Sequence, residues 1–433
     1  MHIHIVGIAG SMTAPLAVAL KKQGHYITGT DQQKIYPPFS DLLKKAQIPL
    51  NQTVINSQID LAIIGSSFSA FSKAKEEYEQ IKSQNIPHIS ATKYISQHLV
   101  KANSILIAGS YGKTTITAAL CHLLQKANFN PSYLFSGQGL NNKNSLDFSD
   151  SDWSVIEADE SINGLDTKAK FLYYPLKYLI LTSAHWEHKD SYKTERENFE
   201  SFKALVIKIP KDGLLVYNSK DPSIVPLLPF AKCPTLAYSS TKLQNKLIGD
   251  FNQQNLAAVE TLARYLNISS KIIESAIASF RGVKRRLEII TKINDIVFFD
   301  DYAQSGNRIK TALSAIKKNY PQAKIKVFYE PHASFLQYRS NLKELSTAFE
   351  LASEVVIFQL KYNPKHKSED RLTAKDYLDT ISNSIYIPLP QDLLNHYQKS
   401  LKKGDILVHF SSGGALGAKT YQKVISLIKR SQC

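Results

Sequence analysis

Cysteine is scarce. The 433 residues hold three, Cys121, Cys233 and Cys433, with no CxxC pair and no metal-type spacing. That excludes a disulfide framework and a cysteine-based zinc site, and points to a reducing compartment. Arginine is scarce too. Only nine of the 53 Lys and Arg are arginine and none precedes Arg196, whereas sequence-specific readers of nucleic acid lean on the arginine fork. No apolar run approaches the ~18 residues that span a bilayer, and the stretch Met1 to Gly10 has neither the basic start nor the long apolar middle of a signal peptide. The expectation is a cytoplasmic protein, a monomer or weak homo-oligomer, with no nucleic-acid partner and no membrane insertion.

What is present is an ordinary globular composition, 43% hydrophobic and 21% charged, long enough at about 150 residues per domain for roughly three domains. The net charge of +16 suits small anionic ligands such as nucleotides, and equally a lysine-rich solvated surface. Short apolar strands alternate with amphipathic stretches throughout, which predicts α/β units with mostly parallel sheets. Strands are expected at 3–6, 26–30 and 61–64, with helices at 14–22 and 41–46 between them. A fresh strand at 104–108 runs into a glycine turn and a helix at 114–127, so the first domain should span 1–102. Strands at 153–157, 178–182 and 213–216 and a helix at 253–266 belong to a second domain, 103–281. Strands at 296–300, 325–329, 355–359 and 406–410 make a third, 282–433.

The sharpest motif is Gly109-Ser110-Tyr111-Gly112-Lys113-Thr114-Thr115, between a strand and a helix. Glycines let backbone N–H groups approach phosphate oxygens, and the helix N-terminus favours negative charge. Lys113 can bridge β- and γ-phosphates, and the Thr114 hydroxyl can ligate Mg²⁺. The loop is one residue shorter than the strict Walker spacing. Glu157 and Asp159 close the next strand, where open α/β sheets place ligands, and a carboxylate there can hold Mg²⁺ or simply be solvated. His185, Glu187, His188 and Asp190 follow another strand, as a second metal site, an active-site wall or a surface loop.

These residues and four further segments, in order, resemble the Mur ligases, the ATP-dependent amide-bond-forming enzymes of peptidoglycan synthesis, over essentially the whole chain. Gly7-Ile8-Ala9-Gly10 with Asp31 is similar to the family's UDP-binding start, and Glu187-His188-Lys189-Asp190 to its Asp-His-x-Asp segment. Gly249 to Asn255 is similar to its adenine-binding segment, Phe280 to Glu288 to the entry of its third domain, and Asp300-Asp301-Tyr302-Ala303 to that domain's first strand end. The resemblance implies a Rossmann-like UDP-sugar domain, a central P-loop ATPase and a Rossmann-like domain for the amino substrate. It implies Lys113, Glu157 and His188 as catalytic residues, with Thr114, Glu157 and His188 toward Mg²⁺. Gly109, Ser110, Gly112, Lys113, Thr114, Thr115, Asn252, Asn255, Arg286 and Asp301 would bind ATP. Gly7, Gly10, Asp31, His332 and Arg339 would bind substrates.

Within the family, Tyr36-Pro37-Pro38, Glu330-Pro331 and Ser411 to Gly417 resemble the murein tripeptide ligase, while Pro331-His332 resembles the L-alanine ligase. The implied partners are UDP-N-acetylmuramate and a peptide or amino acid acceptor, preferably L-Ala-γ-D-Glu-meso-diaminopimelate. The chain departs from the family at Tyr111, Ser183, His185 and Gln304-Ser305-Gly306, which keeps an altered acceptor or a catalytically reduced nucleotide-binding relative in play. A folylpolyglutamate-type ligase would leave the first hundred residues unexplained. Lys113→Ala is expected to abolish turnover and leave the protein folded.

Overall fold

The computed structural model describes every residue except 32–34, 36–38, 51–57, 143, 166–167, 187–190, 332–338, 362–370, 412–414 and 431–433. Its strands fall into three sheets, and the expected α/β class with mostly parallel sheets is the fold observed. The first sheet contains β1 (His2–Val6), β2 (Tyr26–Thr30), β3 (Leu61–Ile64) and β4 (His88–Ser90), all parallel, in the order β2-β1-β3-β4. The chain leaves β1 toward β2 on one side and returns to β3 on the other. The ends of β1 and β3 thus flank a topological switch point, the place where such sheets take ligands. Gly7 to Gly10 follows β1 directly.

The second sheet repeats the logic with seven strands: β5 (Asn103–Ala108), β6 (Ser132–Leu134), β7 (Leu146–Asp147), β8 (Trp153–Glu157), β9 (Tyr178–Leu181), β10 (Leu214–Asn218) and β11 (Thr235–Tyr238). Their order, β11-β10-β9-β5-β8-β6-β7, puts β5 between β8 and β9, so the switch point lies where the glycine turn leaves β5. Strands β5, β8 and β9 are almost continuously apolar because parallel strands are covered on both faces. The helix Lys113–Lys126 is buried along most of its length, Ile116, Ala118, Leu120, Cys121, Leu123 and Leu124 all lying in the core. A buried helix fixes its own first turn, and that turn carries Lys113 and Thr114.

The third sheet contains β12 (Glu288–Ile293), β13 (Ile296–Asp301), β14 (Ile325–Glu330), β15 (Glu354–Ile357), β16 (Ser384–Tyr386) and β17 (Ile406–Ser411). Their order is β12-β13-β17-β14-β15-β16, parallel except for β12 against β13. Its core includes Phe298, Phe328, Val356, Tyr397, Leu407 and Tyr421. Asp300, Asp301, Glu330 and Ser411 end adjacent strands on one edge. Among the described residues no helix is long and apolar enough to cross a membrane.

Candidate active site

The turn after β5 admits only glycine at two points. Gly109 has φ +124, and a Cβ there would lie 2.2 Å from Thr182 Oγ1. Gly112 has φ +78, and its Cβ would lie 2.3 Å from Asn255 Oδ1. The turn is braced by the segment that follows β9. Ser110 N–H donates to Ser183 Oγ at 2.9 Å, Ser110 Oγ to the His185 carbonyl at 3.0 Å, and Thr182 Oγ1 to the Tyr111 carbonyl at 2.6 Å. Three of the family departures therefore share this brace: Tyr111 and His185 lie with ring centroids 6.1 Å apart, and Ser183 holds Ser110. Asn255, whose Oδ1 fills the place of a Gly112 Cβ, donates from Nδ2 to buried Asn252 Oδ1 at 3.2 Å. The two amides therefore meet each other as well as the loop.

Three carboxylates lie within four residues at the end of β8, and each meets different donors. Glu157 accepts from Ser136 N–H at 2.6 Å, from Ser136 Oγ at 2.7 Å and from Thr114 Oγ1 at 2.9 Å. Asp159 accepts from Lys170 Nζ and from Ser161 Oγ, at 2.8 and 2.7 Å. Burial alone would push its carboxyl up, but Lys170 and Lys113 hold it well below the usual range. Glu160, 2% exposed, pairs with Lys113 Nζ at 2.8 Å. Lys113 also donates to the Gly109 carbonyl at 2.5 Å. Ser136, Lys170 and Glu160 escaped the sequence argument, because Ser136 and Lys170 belong to no motif and one acid in a cluster looks like another.

One correction and one addition follow. Lys113→Ala is not structurally silent, since it removes a cation from a buried carboxylate, and such changes cost stability. Glu157, a metal candidate on sequence, is also the hub of a hydrogen-bond cluster that fixes its orientation. The oxygen set still suits a hard cation. Thr114 and Glu157 present two oxygen ligands beside the phosphate loop, which fits an ion that takes its remaining ligands from phosphate and water. Among the described residues no group of three or more His, Cys, Asp or Glu could hold a metal by itself. His188 lies outside the described residues.

In the first sheet Gly7 has φ +73. Ala9 N–H donates to Asp31 Oδ2 at 2.7 Å, and Gly10 N–H to Thr13 Oγ1 at 3.1 Å. Asp31, one residue past β2, is thus brought onto the glycine turn that follows β1. In the third sheet Arg285 and Arg286 both lie over the Tyr302 ring, each 5.4 Å from its centroid. Asp301 accepts from Leu287 N–H at 2.5 Å and Ala303 N–H at 2.6 Å. Arg339 is exposed and paired with Asp376 at 2.8 Å, and His332 lies outside the described residues. Buried Glu330 accepts from Ser411 Oγ at 2.9 Å and pairs with Lys361 at 3.2 Å.

Three family models match in order: "Mur ligase family, catalytic domain" over residues 2–102, "Mur ligase middle domain" over 107–278 and "Mur ligase, glutamate ligase domain" over 285–413. The chain is 26% identical to the UDP-N-acetylmuramate–L-alanyl-γ-D-glutamyl-meso-2,6-diaminoheptandioate ligase of Escherichia coli, covering 100% of this chain and 99% of that one. It is also 26% identical to the UDP-N-acetylmuramate–L-alanine ligase of Desulfitobacterium hafniense, covering 95% and 97%. The crystal structure of UDP-N-acetylmuramate-alanine ligase from Thermotoga maritima superposes with TM-score 0.79 at 19% identity, covering all of both chains. With all three models matched along its length, this chain belongs to the Mur ligase family of ATP-dependent enzymes that make carbon–nitrogen bonds.

Proposed function

We propose that the protein joins the lactoyl carboxylate of UDP-N-acetylmuramate to the amino group of L-Ala-γ-D-Glu-meso-diaminopimelate, using ATP, in the cytoplasm and as a monomer or weak homo-oligomer. The observation that carries this reading is the convergence of Lys113, Thr114 and Glu157 on the switch point of the seven-stranded sheet. Amide formation from a carboxylate in water is uphill, so the carboxylate has to be made a good acyl donor. Its oxygen attacks the γ-phosphorus, the bond to the ADP oxygen breaks, and an acyl phosphate forms. The acceptor amine then attacks the acyl carbon, loses a proton, and phosphate leaves.

Lys113 stabilises charge on the transferring phosphoryl group, an electrostatic and positioning role. Thr114 and Glu157, with His188 for a second ion, would hold Mg²⁺, which neutralises phosphate charge. Gly109, Ser110, Gly112 and Thr115 wrap the phosphates, and Asn252 and Asn255 serve the adenine. Gly7, Gly10 and Asp31 hold the UDP-sugar. Arg286 and Asp301 serve the nucleotide, while His332 and Arg339 serve the acceptor's carboxylates. In this reading the domains divide at residues 102 and 281. L-Alanine is the alternative acceptor, favoured by the equal identity of this chain to a relative named for it.

The test is phosphate release from Mg-ATP and UDP-N-acetylmuramate with tripeptide, with L-alanine or without acceptor, the nucleotide-sugar product being weighed by mass spectrometry. Tripeptide-dependent product supports the main reading, and L-alanine-dependent product the alternative. ATP binding with no product from either acceptor means that neither is the substrate.

A further inference from the structure

The phosphate-loop lysine has a second client. An ammonium carries three donors. At Lys113 the Gly109 carbonyl takes one, at 2.5 Å, and the two carboxylate oxygens of Glu160, 2.8 and 3.2 Å away, take another. Both side chains are withdrawn from water, Lys113 at 13% and Glu160 at 2% exposure, so the attraction between them is little screened. Glu160 is anchored from behind, its carbonyl accepting the Tyr192 hydroxyl at 2.5 Å, and that hydroxyl lies 3.0 Å from Ser201 Oγ. The neighbouring acids face other donors, Thr114 and Ser136 for Glu157 and Lys170 for Asp159. A phosphoryl oxygen in the loop and the Glu160 carboxylate therefore draw on one ammonium.

We propose that Glu160 is a positioning residue that competes with phosphate for Lys113 and thereby promotes release of ADP. A triphosphate surrounds Lys113 with enough negative charge to outweigh the carboxylate. Once the terminal phosphoryl group has moved to the acyl acceptor, the diphosphate has less charge to hold the ammonium, and Glu160 draws it back. The reading rests on the site being that of an ATP-dependent ligase.

The test is calorimetric titration of Mg-ADP into the full-length protein, comparing wild type with Glu160→Gln and Glu160→Asp, alongside steady-state turnover. Glu160→Gln should tighten ADP at least fivefold, and should lower both KM for ATP and kcat because product leaves slowly. Glu160→Asp keeps the charge and shortens the reach, so it should move ADP affinity the same way by less, and it decides the matter if the glutamine variant does not fold. Unchanged or weaker ADP binding in a folded variant would overturn the proposal while leaving the ligase assignment intact. Failure of the wild type to bind Mg-ADP would remove both.

Discussion

Glu157, Asp159 and Glu160 are chemically near-equivalent, and the donors around them give each a separate task. Lys113 is the counterpart of one and the electrostatic agent of the proposed reaction, so its removal should be felt twice. Lys113→Ala should cut phosphate release at least ~100-fold and also lower the melting temperature, by the equivalent of a few kcal/mol for a broken buried pair. Unchanged melting would mean that the Glu160 pair contributes nothing to the fold. Asp301 offers a second residue-scale test. Burial pushes its carboxyl up from 3.8 to about 6, against the pull of Arg286 and the Ala303 and Leu287 N–H groups. Between roughly pH 4 and 6 the folded state keeps a proton that the unfolded chain has released. Stability should accordingly fall as pH rises through that window, by on the order of 2–3 kcal/mol. Urea denaturation of Asp301→Asn should lack this slope, and equal slopes in variant and wild type would reassign it.

At the scale of elements, the sequence carried the central strands well because covered parallel strands are short, apolar and punctuated by turns. The expected strands at 104–108 and 153–157 and the helix at 114–127 match β5, β8 and Lys113–Lys126 within a residue or two. What was not legible has little apolar contrast. Strand β11 exposes three of its four residues. Strand β12 pairs antiparallel with a register shift between Ile289 and Thr291, which breaks the alternation that would have marked it. The active-site loop was legible because phosphate binding demands particular residues in a particular order. Its supports were not, because Ser136 and Lys170 act only through the fold. Gly306 is similar: in the sequence it is one of the family departures, while in the structure the helix Gly306–Asn319 starts against the helix Ser340–Leu345, where a Cβ would lie 2.2 Å from the Glu344 carbonyl oxygen. Gly306→Ala should therefore cost roughly 2–3 kcal/mol by overpacking, read as a lowered urea midpoint at unchanged slope.

For the molecule as a whole, residues 1–247 with 251–283 form one compact unit, and 248–250 with 284–433 form another. The first unit has core clusters of its own, running from Ile3 to Val283, and the second has one running from Ile290 to Ile428. Scanning calorimetry should show at least two transitions, with Mg-ADP raising the one that melts the phosphate loop, by mass action. One merged transition unaffected by nucleotide would contradict that picture. The separate cores also bear on ancestry. A stretch that completes its own apolar interior can pass between genes as a block, so a tree drawn from residues 1–283 and one drawn from 284–433 need not share a branching order, and the two halves of this chain can carry different histories.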